Sequence, residues 1–276
     1  MNILNQITPT RSFNLAYIIL DSLFIITLCL ILFFKKNRLT LLFALFGGIL
    51  YLVVDFGIFY LALKSRSIYI IKDGEMILQN EGMTFLILTW MSLSYGITNF
   101  AFIWLALKKD KYFLHYTLLI LGWWLVVPIL SKMGGASNII TIRTTNEYHW
   151  VMALILVIGY GALIIYDMFG KKKVYNILLL NAIGITVQLG WELALLINGI
   201  RPWNEMSVKT LIINSLIETN LGMPYIYLIY LAITKHFSED LKKKGVWLLH
   251  RTSLIYNWTI SKSKPIERSI CPDLIL

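Results

Sequence analysis

The chain has 276 residues, of which 58% are hydrophobic and 14% are charged, and its mean hydropathy is +0.70. This composition excludes an ordinary soluble domain, in which charged residues make up about a quarter of the chain. The formal net charge is +10. Because basic residues accumulate at the cytoplasmic face of membrane proteins, this charge does not indicate nucleic-acid binding.

Hydropathy windows of about 19 residues identify seven apolar segments that are long enough to cross a bilayer as helices. The first is followed by lysines and has no small-residue cleavage site, so we expect it to be retained as a span and not removed as a signal peptide. The sequence therefore predicts an all-α, polytopic membrane protein. The predicted spans are residues 15–34, 40–63, 83–107, 113–131, 150–169, 175–199 and 210–233.

Basic residues distinguish the two ends of these spans. The first, third and fifth connections are short and basic, whereas the other three are longer and mix basic with acidic residues. By the positive-inside rule, the N-terminus is predicted outside and the C-terminus in the cytoplasm. The short basic connections are 35–38, 108–111 and 171–173, and the longer ones are 64–82, 132–149 and 200–209.

Two ungapped self-alignments indicate an internal repeat. Placing Asp55 over Glu192 aligns the first two spans with the fifth and sixth, and placing residues 105–107 over 231–233 aligns the third with the seventh. This predicts a parallel three-plus-one-plus-three plan, in which a site usually lies between the halves. The predicted halves are 15–107 and 150–233 around a linker helix at 113–131, within a transmembrane domain over 1–234 that precedes a basic cytoplasmic tail over 235–276.

Three carboxylic acids, Asp55, Glu192 and Glu218, lie near the middle of predicted spans, and no Lys or Arg occurs at their depth. We therefore expect them to have no basic partner and to be protonated or to share protons. A protonated carboxyl can act as a general acid, and it can equally couple transport to a proton gradient. The acids alone leave both alternatives open.

Polar and aromatic residues recur at helical spacing on the spans that carry the acids. If these faces converge, they form a polar chamber whose aromatic wall could stabilise a cation and whose amides could orient the acids. Gly222 and Pro224 also predict a kink in the seventh span, close to Glu218. The predicted lining residues are Tyr51, Trp90, Tyr95, Asn99, Gln188, Trp191 and Asn214.

The sequence contains no metal or cofactor motif. It lacks HExxH, paired cysteines, an aspartate-rich diphosphate motif, a P-loop, GxGxxG and GxSxG. Its histidines are scattered, and none is predicted to share a helix face with the acids. We therefore expect neither a metal ion nor a cofactor. The histidines are His115, His149, His236 and His250.

These features resemble the small integral-membrane terpene cyclases of meroterpenoid pathways, the pyripyropene-cyclase type family. The resemblance covers residues 15–234 and rests on size, seven spans, the lack of metal motifs, acids in both halves and the Trp191–Glu192 pair. It implies that Asp55 and Glu218 start cyclisation by protonating an epoxide or alkene of a lipophilic isoprenoid. Glu192 would then be a third acid that adjusts their protonation.

Two other functions remain open from the sequence. A proton-coupled transporter of small solutes with the same three-plus-one-plus-three plan would use the polar faces to bind its substrate. A receptor or signalling subunit would use the basic tail to meet a partner. The expected partners are the isoprenoid substrate and membrane lipid, and the sequence identifies no protein partner.

Overall fold

The computed structural model describes residues 10–169, 176–203 and 205–236. Within these ranges, seven helices are long and apolar enough to cross a membrane, so the predicted spans are confirmed as helices. The described residues up to Tyr227 belong to one compact unit, and those from Leu228 onward belong to a second. The basic connection at 171–173 and the predicted tail beyond residue 236 lie outside the described residues.

Helices account for most of the described chain. Short 3₁₀ turns follow α4 at Lys132–Gly134, precede α5 at Thr145–Tyr148 and follow α7 at Asn220–Gly222, after which the chain is helical again over 223–236. The helices are α1 at Leu15–Phe34, α2 at Arg38–Leu52, α3 at Glu81–Leu107, α4 at Phe113–Ser131, α5 at His149–Phe169, α6 at Ile177–Ile197 and α7 at Glu205–Ile217.

Four helices begin directly after an asparagine, and in all but α2, which follows Asn37, the asparagine side chain satisfies a free N–H group of the first turn. The side chains of Asn14, Asn80 and Asn176 accept hydrogen bonds from the backbone N–H three residues later. Asn14 also donates to the carbonyl oxygens of Ser131 and Gly135, both at 2.8 Å. The start of α1 is therefore tied to the end of α4.

The helix that carries Asp55 changes its geometry part of the way along. After Leu52 the chain continues from α2 as a π-helix over Val53–Ala62, and Asp55 lies in its first turn. Widened π-type turns are rare and are frequent at functional sites. The seventh span is also interrupted, at Asn220–Gly222, as Gly222 and Pro224 predicted.

Two of the long connections, 64–82 and 132–149, do not remain loops: together with residues 11–13 of the N-terminal segment they form a four-stranded antiparallel sheet with strand order β1-β4-β2-β3. Strands β2 and β3 make a hairpin whose turn, Asp73–Gly74, has positive φ at both residues (53° and 82°). Asp-Gly is a strong signal for this turn type. We call the end of the helix bundle that carries these strands the sheet end. The strands are β1 at Arg11–Phe13, β2 at Arg66–Lys72, β3 at Glu75–Leu78 and β4 at Ile139–Arg143.

Helix α3 is the centre of the bundle, because 72% of its span is buried, against at most 44% for the other six. It packs against α2 through glycines that allow the two backbones to approach closely. A Cβ atom added at Gly96 would lie 2.6 Å from the carbonyl oxygen of Gly47 and 2.7 Å from the Cα of Gly48. This contact places the α3 residues Tyr95 and Asn99 beside α2.

Candidate functional site

Three of the predicted lining residues form an aromatic row across α2, α3 and α6. The Tyr51 ring packs edge-on against Tyr95 with the ring centroids 4.7 Å apart, and Tyr95 packs against Trp191 at 5.7 Å. Trp124 of α4 completes the row at 5.1 Å from Trp191. The predicted convergence of these helix faces is therefore present.

A hydrogen-bonded chain leads from this aromatic row to Glu218. The Tyr95 hydroxyl donates to Oε1 of Gln188 and lies 3.2 Å from Oγ1 of Thr219, which itself donates to the same Gln188 oxygen at 2.5 Å. The amide nitrogen of Gln188 then donates to Oε2 of Glu218 at 3.2 Å. Gln188 thus fixes the position of the Glu218 carboxylate relative to Tyr95.

Glu218 is the most accessible of the three acids, because its side chain is 22% exposed, against 10% for Asp55 and 0% for Glu192. Nε2 of His149 lies 3.8 Å from Oε1 of Glu218. The sequence predicted no histidine on the same helix face as an acid, and His149 instead reaches Glu218 from another helix. Helical periodicity could not reveal the contact, because His149 is the first residue of α5 and meets Glu218 only through tertiary packing.

Asp55 does not lack a basic partner, so the prediction of an unpaired acid is wrong at this position. Its Oδ1 accepts hydrogen bonds from Nε and a terminal nitrogen of Arg66, at 3.3 and 3.0 Å, and from Arg143 at 2.8 Å. Arg66 and Arg143 are cross-strand partners in the β2–β4 ladder. The sheet therefore presents two adjacent guanidinium groups to one carboxylate.

Glu192 is also paired, which contradicts the same prediction. Arg201 approaches both of its carboxylate oxygens, at 2.9 and 2.7 Å, and Arg11 lies 3.7 Å away. Asn214 donates to Oε1 of Glu192 at 3.4 Å. Asn214 therefore orients an acid, as predicted, but the acid is Glu192.

The hydropathy windows missed these pairs because they assigned the acids to spans and the arginines to separate connections. The strands instead fold back over the helix ends, so that the arginine side chains reach the acids. One signal was available: each segment at the sheet end carries a single arginine, and the fork of arginine suits buried carboxylate pairs better than lysine does. These arginines are Arg11 in 1–14, Arg66 in 64–82, Arg143 in 132–149 and Arg201 in 200–209.

The environment shifts the pKa values of three of these arginines. Burial, reinforced by repulsion from Arg143, lowers the pKa of both Arg11 and Arg66 to about 10. Burial alone would also lower the pKa of Arg143, but nearby carboxylates, with Asp55 the strongest, raise it above its ordinary value. The carboxylates near Arg143 therefore compensate for the burial of its charge. At Arg11, burial outweighs the attraction of the nearby carboxylates.

Trp90 lies apart from the Tyr51–Tyr95 row. Its ring packs against Phe13 at 5.2 Å and against Tyr17 at 5.7 Å. Trp90 and Trp191 nevertheless line one pocket, of about 280 Å³ including its mouth, together with Arg11, Tyr17, Ser94 and Leu195. We call it the aromatic pocket.

Asn99 is fully buried, and its side chain lies within hydrogen-bonding reach of the Tyr51 hydroxyl. Within the described contacts it does not orient an acid, unlike Gln188 and Asn214. Its predicted role is therefore the least supported of the lining set.

Comparison with known proteins gave no match to a family model, a curated protein or a solved structure. Function is therefore inferred from the geometry of the site. That geometry combines one accessible carboxyl next to a histidine, two carboxylates neutralised by arginines, and a row of aromatic rings. Such a site can deliver a proton in a setting where aromatic faces stabilise a developing positive charge.

Proposed function

We propose that this chain is a multi-pass membrane enzyme that cyclises a lipophilic isoprenoid by proton-initiated carbocation chemistry. The supporting observation is the position of Glu218. Its carboxyl has no arginine hydrogen bond among the described contacts, lies 3.8 Å from His149, and is joined through Gln188 to the Tyr95 end of the aromatic row. A proton donor and a cation-stabilising wall are therefore adjacent.

In this proposal Glu218 is the acid. Its O–H bond breaks as a new bond forms to an alkene carbon or an epoxide oxygen, which leaves a carbocation on the substrate. A second double bond then attacks the cation and closes a ring, and the reaction ends when a carbon atom next to the cation loses a proton to the imidazole of His149. Because one proton is gained and one is lost, the product has the mass of the substrate. His149 can return a proton to Glu218.

The resemblance implied that Asp55 is a proton donor. In this proposal neither Asp55 nor Glu192 donates the proton. Each carboxylate is already engaged in ion pairs with two arginines. We assign them to fixing the arginines and the helix ends around the site. Glu218 alone then carries the proton transfer.

The aromatic row would stabilise the cation. Aromatic faces contribute up to about 2 kcal/mol or more to binding a desolvated cation. Tyr51, Tyr95 and Trp191 are close enough to one another to act on a single intermediate. Gln188 would orient the acid, and Asn214 would orient Glu192.

The proposal includes insertion in a membrane with the sheet end outside and the C-terminus in the cytoplasm. The apolar exposed helix faces would contact lipid, and an isoprenoid would reach the site from the bilayer. The parallel three-plus-one-plus-three repeat is part of the same proposal. It is supported by the matching arginine pairs of Asp55 and Glu192, the two residues that the self-alignment superimposes.

The test is to incubate membranes that contain the protein with prenylated aromatic substrates and their epoxides, and to search for isomers of unchanged mass. We expect Glu218→Gln to lower the rate by at least about 100-fold, the usual contribution of a general acid. Glu81→Gln, an exposed change in the first turn of α3, is the matched control and should keep the activity. Undiminished cyclisation by Glu218→Gln would remove the assigned acid.

One observation favours proton-coupled transport as a second candidate. The seventh span is broken at Asn220–Gly222, next to Glu218, and interrupted helices beside protonatable acids are typical of transporter sites. Proteoliposomes with an imposed pH gradient distinguish the two functions. Glu218-dependent solute uptake without any isoprenoid product would favour transport, and ring formation without uptake would favour the cyclase.

A further inference from the structure

Seven charged side chains form one buried group at the sheet end, which we call the arginine cluster. Ion pairs join its members, and Glu218 interacts electrostatically with Arg11, Arg143 and Arg201. Among the described side chains of the cluster, four arginines face three carboxyl groups. This leaves one positive charge in excess when Glu218 is ionised, and two when it carries the proton of the proposed reaction. The members are Arg11, Arg66, Arg143, Arg201, Asp55, Glu192 and Glu218. Buried charges are normally paired, so the cluster lacks at least one negative charge.

Unused hydrogen-bond donors accompany the excess charge. The Nε atoms of Arg11, Arg143 and Arg201 are buried and have no hydrogen-bond partner. Arg11 is the least well paired of these arginines, because its contact with Glu192 is long, at 3.7 Å, whereas Arg143 and Arg201 make contacts of 2.8 and 2.7 Å. The missing negative charge is therefore best placed at Arg11.

Arg11 lines the aromatic pocket, and its guanidinium carbon lies 5.9 Å from the centre of the Trp191 ring. The indole N–H of Trp191 is also buried without a partner. Two further unpartnered donors in this pocket, on Trp90 and Ser94, lie beside the buried carboxyl of Asp21 and are accounted for by it. Arg11 and Trp191 are thus the two donors left for a ligand.

The pocket volume limits what the ligand can be. The 280 Å³ includes open solvent at the mouth, and the enclosed part of the pocket has room for little more than a water-sized group. Only the polar end of a longer molecule can therefore enter it. A carboxylate supplies one negative charge and two oxygens in a plane that a guanidinium fork can meet.

We propose that the aromatic pocket binds the carboxylate of an amphipathic, isoprenoid-type acid, with Arg11 as the ion-pair partner and the Trp191 indole N–H as a second donor. The carboxylate reduces the excess positive charge of the arginine cluster, and the apolar chain of the ligand lies outside the pocket. This assignment names the substrate class of the proposed cyclase and rests on that function. Binding of the acid, however, is measured without turnover, so the binding proposal and the cyclase proposal can fail separately.

The experiment uses the full chain in nanodiscs of neutral phosphatidylcholine, with farnesoic acid as the probe and its methyl ester as the uncharged analogue. Quenching of intrinsic tryptophan fluorescence reports binding. We expect the acid to bind at least about tenfold more tightly than the ester, which corresponds to one charge-assisted contact. Arg11→Gln should reduce acid affinity to that of the ester, whereas Arg38→Gln, an exposed arginine at the start of α2, should not change it.

Because Arg11→Gln could fail to fold, Trp191→Phe is the second variant, since it keeps an aromatic ring at this position and removes the N–H donor. It should lower acid affinity several-fold and leave ester affinity nearly unchanged. Equal affinities for acid and ester, or an acid preference that survives in folded Arg11→Gln, would overturn the proposal. Displacement of the acid by millimolar acetate would also overturn it in favour of a free-anion site, and displacement by phosphatidylglycerol in favour of a lipid headgroup site.

The outcomes also separate this proposal from the cyclase. Arg11-dependent binding of the acid, together with no ring product from any isoprenoid, would support the pocket and refute the proposed activity. Ring formation that proceeds equally well on acids and esters would support the activity and refute the pocket.

Discussion

The carboxylates of Asp55 and Glu192 are held in the same way. Each receives one arginine from the connection that follows its own helix and a second from a segment distant in sequence. Such buried pairs are not a strong source of stability in themselves, but breaking one leaves an uncompensated charge. The near arginines are Arg66 and Arg201, and the distant ones are Arg143 and Arg11.

Replacement of Asp55 should therefore be strongly destabilising. Asp55→Asn keeps the size of the side chain but leaves Arg66 and Arg143 facing each other in a buried site, and we expect it to lower the free energy of unfolding by about 3–5 kcal/mol. Denaturant unfolding in detergent measures this change. Asp73→Asn, in the exposed β2–β3 turn where asparagine tolerates the positive φ, is the matched control. A loss below about 1 kcal/mol would show that the two arginines find other partners.

Tyr95 should act by positioning the acid. Tyr95→Phe keeps the ring between Tyr51 and Trp191 but removes the hydroxyl that bonds Gln188. We expect kcat of cyclisation to fall about tenfold with little change in KM, because Gln188 no longer holds Glu218 in one orientation. Tyr60→Phe, a ring in the π-helix outside this chain of hydrogen bonds, is the control. A rise in KM at constant kcat would instead assign Tyr95 to substrate binding.

At the scale of elements, the helices could be predicted from the sequence and the sheet could not. Each helix has a long apolar segment, and Asn14, Asn80 and Asn176 mark three of their starts. The strands are only 3–7 residues long, and β2 and β3 lie within a connection that is rich in charged residues. The Asp73–Gly74 turn was a usable hairpin signal. No local sequence signal predicts the pairing of β1 with β4, because this pairing depends on tertiary contacts.

The π-helix and the arginine pairs could not be predicted from hydropathy either. Hydropathy detects that a segment is apolar but not how its last turns are wound, so the change of geometry after Leu52 was not visible. The faces that carry Tyr51, Tyr95 and Gln188 were correctly predicted from spacing alone. What spacing could not provide was the depth of the acids, which lie where the sheet closes over the bundle.

The α2–α3 crossing should depend on Gly96. Gly96→Ala would place a methyl group 2.6 Å from the Gly47 carbonyl, and because the obstructing atoms are backbone, α2 and α3 must separate. We expect a loss of about 1–3 kcal/mol in the free energy of unfolding. Gly161→Ala in α5, where an added Cβ meets nothing within 4 Å, should be neutral or slightly stabilising. Equal stabilities of the two variants would contradict the close approach.

For the whole molecule, the sheet links segments that are far apart in sequence. Strand β4 lies between β1 and β2, so the N-terminal segment, the second connection and the fourth connection are hydrogen-bonded to one another. Each of these strands also supplies an arginine to the cluster. The sheet therefore covers the site and supplies three of its four arginines, Arg11, Arg66 and Arg143.

The proposed orientation places the sheet outside the cell. In a variant without Cys29 and Cys271, a cysteine introduced by Asp73→Cys should react with a membrane-impermeant maleimide in intact cells. A cysteine introduced by Lys109→Cys, in the turn between α3 and α4, should react only after permeabilisation. The reverse pattern of labelling would invert the predicted topology and place the arginine cluster on the cytoplasmic side.

The spacing of the ion pairs also sets an order of assembly during synthesis. The near arginine follows Asp55 by 11 residues and Glu192 by 9, so each acid leaves the ribosome together with a counter-ion. The second partner of Asp55 is made 88 residues later. Each acid can therefore pair with its near arginine during insertion. The distant arginines reach the acids only after the sheet has paired, so the candidate site is completed late in folding.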